Sequence, residues 1–122
     1  MNILIDTHIL LWHLTDNPRL SLAQSRIIED PTHVKFFSVA SLWEMAIKSS
    51  LGKLDLRRPM DELVPPEISV LPIRLSHLKT LQSLPFHHKD PFDRLLVAQA
   101  QVESLWLMTD DENISKYILN LL

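Results

Sequence analysis

The chain has no cysteine and only one glycine, Gly52, and these two shortages exclude several kinds of chemistry at once. Without cysteine there is no disulfide framework, no thiolate zinc site and no cysteine nucleophile. With one glycine there is no Gly-rich loop to cradle a phosphate, so neither a P-loop nor a dinucleotide-binding turn can be built. No apolar run approaches the roughly 20 residues that span a bilayer, and no basic-then-apolar leader precedes the first strand. A cytoplasmic protein without membrane contact is the expectation. An excess of positive charge is missing too. At a net charge of −3, any contact with nucleic acid must be local and cannot rest on bulk charge. What is present is ordinary for a globular protein: 46% hydrophobic and 22% charged residues in 122, enough for one domain over residues 1–122 with a real core.

Residues 87–111, HHKDPFDRLLVAQAQVESLWLMTDD, set the pattern for the rest. Asp90 stands at an N-cap position, Pro91 at the first helical position, and Asp93 three residues after the cap. Phe92, Leu95, Leu96 and Val102 share a face at helical spacing, and residues 105–108 are a short apolar run that suits a buried strand. Upstream, Asn2–Ile5 is an apolar strand, followed by a helix to Leu14 that Thr7 can cap. Residues 20–29 form an amphipathic helix, 34–37 a second buried strand, and Ser38 caps a helix over Val39–Ser50 with Gly52 just past its end. Trp43 lies on the apolar stripe of that helix and is expected in the core. Residues 59–64 give a short helix at most, and residues 68–73 a third strand whose Pro72 points to an edge. Ser76 caps a helix carrying Leu78, Leu81 and Leu84. Thr109 and Glu112 form a capping-box pair for a last helix, and residues 118–122 a final short edge strand. Alternating strands and helices predict an α/β fold, a parallel sheet of four or five strands covered on both faces.

The acids each have an ordinary role available. Asp6 follows the first strand, where it is evenly balanced between a helix-capping acid and a ligand at a strand's carboxyl end. Glu44 precedes Lys48 by four residues, and spacing alone favours a surface ion pair. Asp93 opens a helix, and Asp110-Asp111 follow the apolar run 105–108. His87-His88 look like half a zinc site, but no third histidine or thiolate sits at ligand spacing, so they belong to a loop. Lys53, Arg57 and Arg58 form a small basic cluster and Arg94 a surface position. Taken together, the acids cannot all be dismissed. In a doubly wound sheet these helix starts and strand ends gather along one edge. Four like charges there repel unless they share a cation. Oxygen ligands without cysteine suit Mg²⁺ or Mn²⁺ better than zinc. Such a site, with positions left for water and phosphate, suits phosphodiester hydrolysis.

Four stretches carry a resemblance over essentially the whole chain: ILIDTHILLWHL, SVASLWEMAIKSSLGKL, LPFHHKDPFDRLLVAQAQ and LMTDDENISKY. In this order they resemble the PIN-domain ribonucleases, and most closely the VapC toxins of prokaryotic toxin–antitoxin pairs. The resemblance implies a three-layer α/β/α sandwich with a mostly parallel sheet, and a metal-dependent endoribonuclease. It places Asp6, Glu44, Asp93 and Asp111 as the four family acids, which replaces the ion-pair expectation for Glu44. Asp6 and Asp93 are then the most direct Mg²⁺ ligands, with Mn²⁺ as a possible substitute, while Glu44 and Asp111 complete the shell or orient the attacking water. Asp111 takes the threonine-x-aspartate position, with Asp110 beside it as the other candidate; Asp90 remains an N-cap. The resemblance also implies an RNA substrate, a homodimer, and a small antitoxin whose tail packs into an apolar groove.

Two other readings compete. A receiver-like phosphoacceptor domain needs an acid pair after the first strand and a lysine after the last, and here the acid pair comes late and no lysine follows 105–108 directly. A non-catalytic PIN-like module that binds RNA or regulates through its acidic pocket keeps the fold and loses the chemistry. All four acids are present, which argues against that loss.

Overall fold

Ile3, Leu4 and Ile5 are fully buried, and the strand they form, β1 (Asn2–Ile5), lies at the centre of a five-stranded sheet. The structure is a computed structural model that describes residues 1–117 and 120–122. The sheet runs β3–β2–β1–β4–β5, with β2 at Val34–Ser38, β3 at Ser69–Leu71, β4 at Trp106–Met108 and β5 at Asn120–Leu121. Every pairing is parallel. Ile5 lies opposite Phe37 on one side and Met108 on the other. A strand paired on both edges and covered on both faces meets no water, which is why β1 is apolar at successive positions instead of alternating.

Successive side chains still divide between two cores. Ile3, Ile5, Phe37 and Met108 face α1 (Thr7–Leu14), α2 (Leu22–Glu29) and α3 (Val39–Ser50), and pack on Ile9, Leu10, Ile28 and Met45. Leu4 and Leu107 face the opposite layer, α4 (Leu75–Ser83) and α5 (Pro91–Glu103), and meet Leu84, Leu96 and Ala100. This is the expected α/β/α sandwich, with five strands. No helix among the described residues is long and apolar enough to cross a membrane.

The order 3-2-1-4-5 fixes where function can sit. The chain winds outward from β1 through β2 to β3, then returns past β1 to lay down β4 on its other side. The connections leaving β1 and β4 diverge, and a crevice opens between the carboxyl ends of those two strands.

Several local expectations need correction. The cap of α1 is Asp6, not Thr7. Helix α2 begins at Leu22 behind a Ser21–Gln24 capping box, two residues later than expected. Helix α4 begins at Leu75, behind Arg74 and not Ser76, because the buried His77 accepts the Arg74 N–H through Nδ1 at 3.0 Å. Thr109 and Glu112 do not cap a helix: only a single 3₁₀ turn, Ile114–Lys116, follows. Trp43 is not in the core. It is 56% exposed and meets the Phe92 ring edge-on, with centroids 5.1 Å apart. The last strand occupies the expected edge, and its expected first two residues, 118 and 119, lie outside the described residues.

Candidate active site

Asp6 directly follows β1 and is 3% exposed. The Thr7 amide donates to its Oδ1 at 2.7 Å, so it caps α1, and the Thr109 hydroxyl beyond β4 donates to Oδ2 at 2.8 Å. The capping and site readings of this residue are therefore compatible: one oxygen caps the helix and the other faces the crevice partner strand. Thr109 in turn accepts the Asp111 amide at 3.1 Å. One hydroxyl thus ties the acid after β1 to the acid after β4.

Glu44 is also buried, at 5% exposure, and Lys48 donates to its Oε2 at 3.0 Å. The ion pair expected from spacing exists, yet only the lysine is at the surface. The same helix periodicity that places Lys48 over Glu44 turns the carboxylate toward the crevice, where its charge acts on Asp6 and Asp93.

Asp90 caps α5, accepting the amides of Phe92 at 2.8 Å and Asp93 at 3.2 Å, as expected. Asp93 follows in the first turn. Its carboxylate lies 3.1 Å from His88 Nε2, and that nitrogen lies 2.7 Å from Asp111 Oδ2. Asp111 is further held by the Asn113 amide on Oδ1 at 2.9 Å, whereas Asp110 is exposed. Of the doubled acid, Asp111 is the one turned toward the other carboxylates.

Charge crowding shows in the titration of the group. Burial raises the pKa of Asp6, against the pull of its hydrogen bonds from Thr109 and Thr7. Asp93 is pushed up to about 7, by burial first and then by the charges of Asp6, Asp90 and Glu44. Burial works upward on Asp111 as well, but the hydrogen bonds from His88 and Asn113 outweigh it and lower its pKa. Burial opposes a charge on His88, and the hydrogen bond to Asp111 with the nearby carboxylates overcomes it, raising that pKa. The Asp90 amide, which donates to His88 Nδ1 at 3.0 Å, acts the other way, since a proton on that nitrogen would face the N–H.

The four acids expected from sequence are thus brought to one crevice, at the end of β1 and β4 and on the flanking turns of α3 and α5. Their negative charge exceeds what His88 and Lys48 neutralise, and two of the acids respond with raised pKa values. A set of carboxylate oxygens in that condition fits a hard divalent cation. His88 lies in a loop, as expected, and its ring closes the gap between Asp93 and Asp111. Thr109 was assigned to a helix cap and is instead the bridge to Asp6. The one sequence signal for His88 was its place two residues before the Asp90 cap, where a side-chain nitrogen can accept the cap's own amide. Arg94 is not a free surface residue: its Nη2 donates to the Leu84 carbonyl at 3.0 Å, and its guanidinium lies 4.2 Å from the centre of the Phe86 ring. Of the basic cluster, Arg57 and Arg58 line an apolar cavity of about 470 Å³ with Leu11, Leu14, Leu56 and Leu63, and none of the four acids is part of it.

Comparison with known proteins agrees with this fold. The fold is similar to that of VapBC2 from Rickettsia felis, solved bound to a DNA fragment from their promoter: TM-score 0.76 and 14% identity, over 100% of this chain and 98% of that one. It is similar to VapBC-1 from nontypeable Haemophilus influenzae, with a TM-score of 0.68 and 17% identity, over 100% and 97% of the two chains. A toxin–antitoxin complex from Klebsiella pneumoniae gives a TM-score of 0.67 and 20% identity, over 98% and 95%. At these identities the likeness is one of fold. No curated protein sequence matches the chain. Residues 3–118 match the family model of the PIN domain, a family generally of nucleases that typically use a divalent metal. That match runs from the first strand past the last acid and takes in every residue of the crevice, and on it the chain belongs to the PIN domain family.

Proposed function

We propose that the chain is a metal-dependent endoribonuclease and the toxin of a toxin–antitoxin pair. The observation that carries the reading is the convergence of Asp6, Glu44, Asp93 and Asp111 on the β1–β4 crevice, with Asp93 pushed up to about 7 by burial and by the charges of its neighbours. Asp6 and Asp93 would hold Mg²⁺ most directly, with Mn²⁺ as a substitute, and Glu44 and Asp111 would complete the set. A cation bound there supplies an activated water and stabilises the leaving oxygen of a phosphodiester. The chain's own residues set the stage for it. Thr109 keeps Asp6 and Asp111 in register, the Asp90 cap fixes the first turn that carries Asp93, and Lys48 holds Glu44.

The solved structures of similar fold include toxin–antitoxin complexes, which supports a small antitoxin as partner. The reading puts the activity in the cytoplasm, where such an RNA substrate would be met. A second copy of the chain is the natural cover for the exposed apolar stripe of α3, where Trp43, Ile47 and Leu51 follow one another at helical spacing.

The test is cleavage of structured RNA, transfer RNA included, by wild-type protein and Asp93→Asn, with Mg²⁺, with Mn²⁺ and with EDTA. Cutting is expected in either metal, is abolished by EDTA, and is lost in the variant. RNA bound but never cut by the folded wild-type chain would make this a binding module and end the nuclease reading.

A further inference from the structure

His88 lies among the carboxylates, five residues before Asp93 in the same stretch, and is not one of the four acids expected to hold the cation. The ligand atoms of His88, Asp93 and Asp111 all fall within 4.8 Å of one another, and distance alone would make the imidazole a third metal ligand. The far side of the ring decides otherwise. Nδ1 accepts the backbone N–H of Asp90 at 3.0 Å. An imidazole binds a metal through a nitrogen lone pair and keeps its proton on the other nitrogen. If Nε2 bound the cation, the proton on Nδ1 would point at the Asp90 amide, two donors facing each other 3.0 Å apart. Nε2 therefore carries a proton whether the ring is neutral or charged, and it donates.

We infer that His88 is a positioning residue: fixed as an Nε2–H donor by the Asp90 amide, it orients the carboxylates of Asp93 and Asp111 toward the cation from outside the coordination shell. The ring is well placed for this. Its side chain is 13% exposed, and its own backbone N–H donates to the Tyr117 hydroxyl at 3.0 Å. Asp90 caps α5 with its carboxylate while its amide sets the His88 tautomer, so the helix start and the ring are aligned by one residue. A carboxylate oxygen has two lone pairs, and one that accepts from Nε2 can still offer the other to a metal. Outer partners of this kind fix the direction of the ligands, and losing one lowers metal affinity about 10- to 100-fold. The inference rests on the metal-dependent reading above, since without a cation there is nothing to orient.

Mn²⁺ serves as the probe, titrated by electron paramagnetic resonance into the wild-type chain, His88→Ala and His88→Gln, with circular dichroism checking the fold. Pulsed measurements on the Mn²⁺-loaded wild type look for the coupling of a directly bound imidazole nitrogen. The expected results are no such coupling, Mn²⁺ binding about 10- to 100-fold weaker in His88→Ala, and recovery of most of the loss in His88→Gln, whose amide keeps a donor. A directly bound nitrogen would make His88 a ligand and overturn the inference; so would undiminished affinity in folded His88→Ala. Both results leave the nuclease reading intact. A wild-type chain that takes up no Mn²⁺ ends both. The nitrogen measurement needs no variant, so misfolding of His88→Ala cannot shelter the inference.

Discussion

Asp93 is held largely out of water where three other carboxylates also act on it, and the consequence is a stability that depends on pH. Its folded pKa of about 7 stands above the ordinary 3.8. Between those values the native chain binds more protons than the unfolded one, so stability falls as pH rises through the window and levels off above about 7. Asp6 shifts in the same direction and adds to the fall. Asp93→Asn removes the ionisation. In EDTA at pH 8 the variant should be more stable than wild type by about 1–3 kcal/mol, discounting for charge shared with Asp6 and Glu44. That corresponds to a Tm higher by roughly 4–12 °C, and the gap should close toward pH 4. With saturating Mg²⁺ the order should reverse, because the wild type gains a ligand that the variant lacks. A variant less stable than wild type in EDTA at pH 8 would mean that Asp93 serves the helix start more than the crevice. Asp6, Asp93 and Asp111 were legible in the sequence because each follows a strand or opens a helix, whereas Glu44, inside α3 and given by spacing alone to a surface ion pair, was marked only by the resemblance. His88 was not legible, because its ring works between Asp93 and an acid 23 residues away, and no local spacing encodes that meeting.

At the scale of elements, the two halves of the fold are joined by a buried polar chain. The Ser38 hydroxyl, which caps α3, donates to Gln99 on α5. Gln99 reaches the Pro72 carbonyl at 3.3 Å and His77 Nδ1 at 3.4 Å. His77, fully buried on α4, passes its other nitrogen to Glu103 Oε1 at 2.8 Å. Because Nδ1 accepts from the Arg74 amide, Nε2 is the donor to Glu103. His77→Leu would leave that amide and the carboxylate without their partner inside the α4–α5 contact. It should cost about 2–4 kcal/mol in urea unfolding, more than an isolated hydrogen bond because several groups are orphaned. An unchanged midpoint would show that water replaces the ring. Helix α4 was legible as an element, from its leucines and the proline that stops it. Its start was not: Ser76 looks like the better cap by residue type, and only the burial of His77 gives Arg74 the position.

For the whole molecule, layer order and parallel pairing could be read from the alternation of apolar runs, since a sheet covered on both faces leaves few other arrangements. Which large apolar residues face outward could not. Trp43 adjoins the half-buried Leu42 on the stripe read from the sequence, yet beyond its edge contact with Phe92 of α5 it faces outward, and Ile47 and Leu51 continue the exposed line. Trp43→Glu is therefore expected to leave the fold intact and convert a dimer to a monomer in light scattering. If wild type and variant are both monomers, the stripe has some other cover.

Strand β1 precedes the other four described strands in the chain, yet its neighbour on one side is β4, the fourth of the five: Ile3 lies opposite Trp106. Asp6 and Asp111 can meet only after that pairing, and all four acids coexist only once residue 111 has been made. A ribosome is itself built on RNA. While it makes this chain it faces separate carboxylates, and the assembled crevice exists only once β4 and the turn that follows it have left the tunnel and closed the sheet.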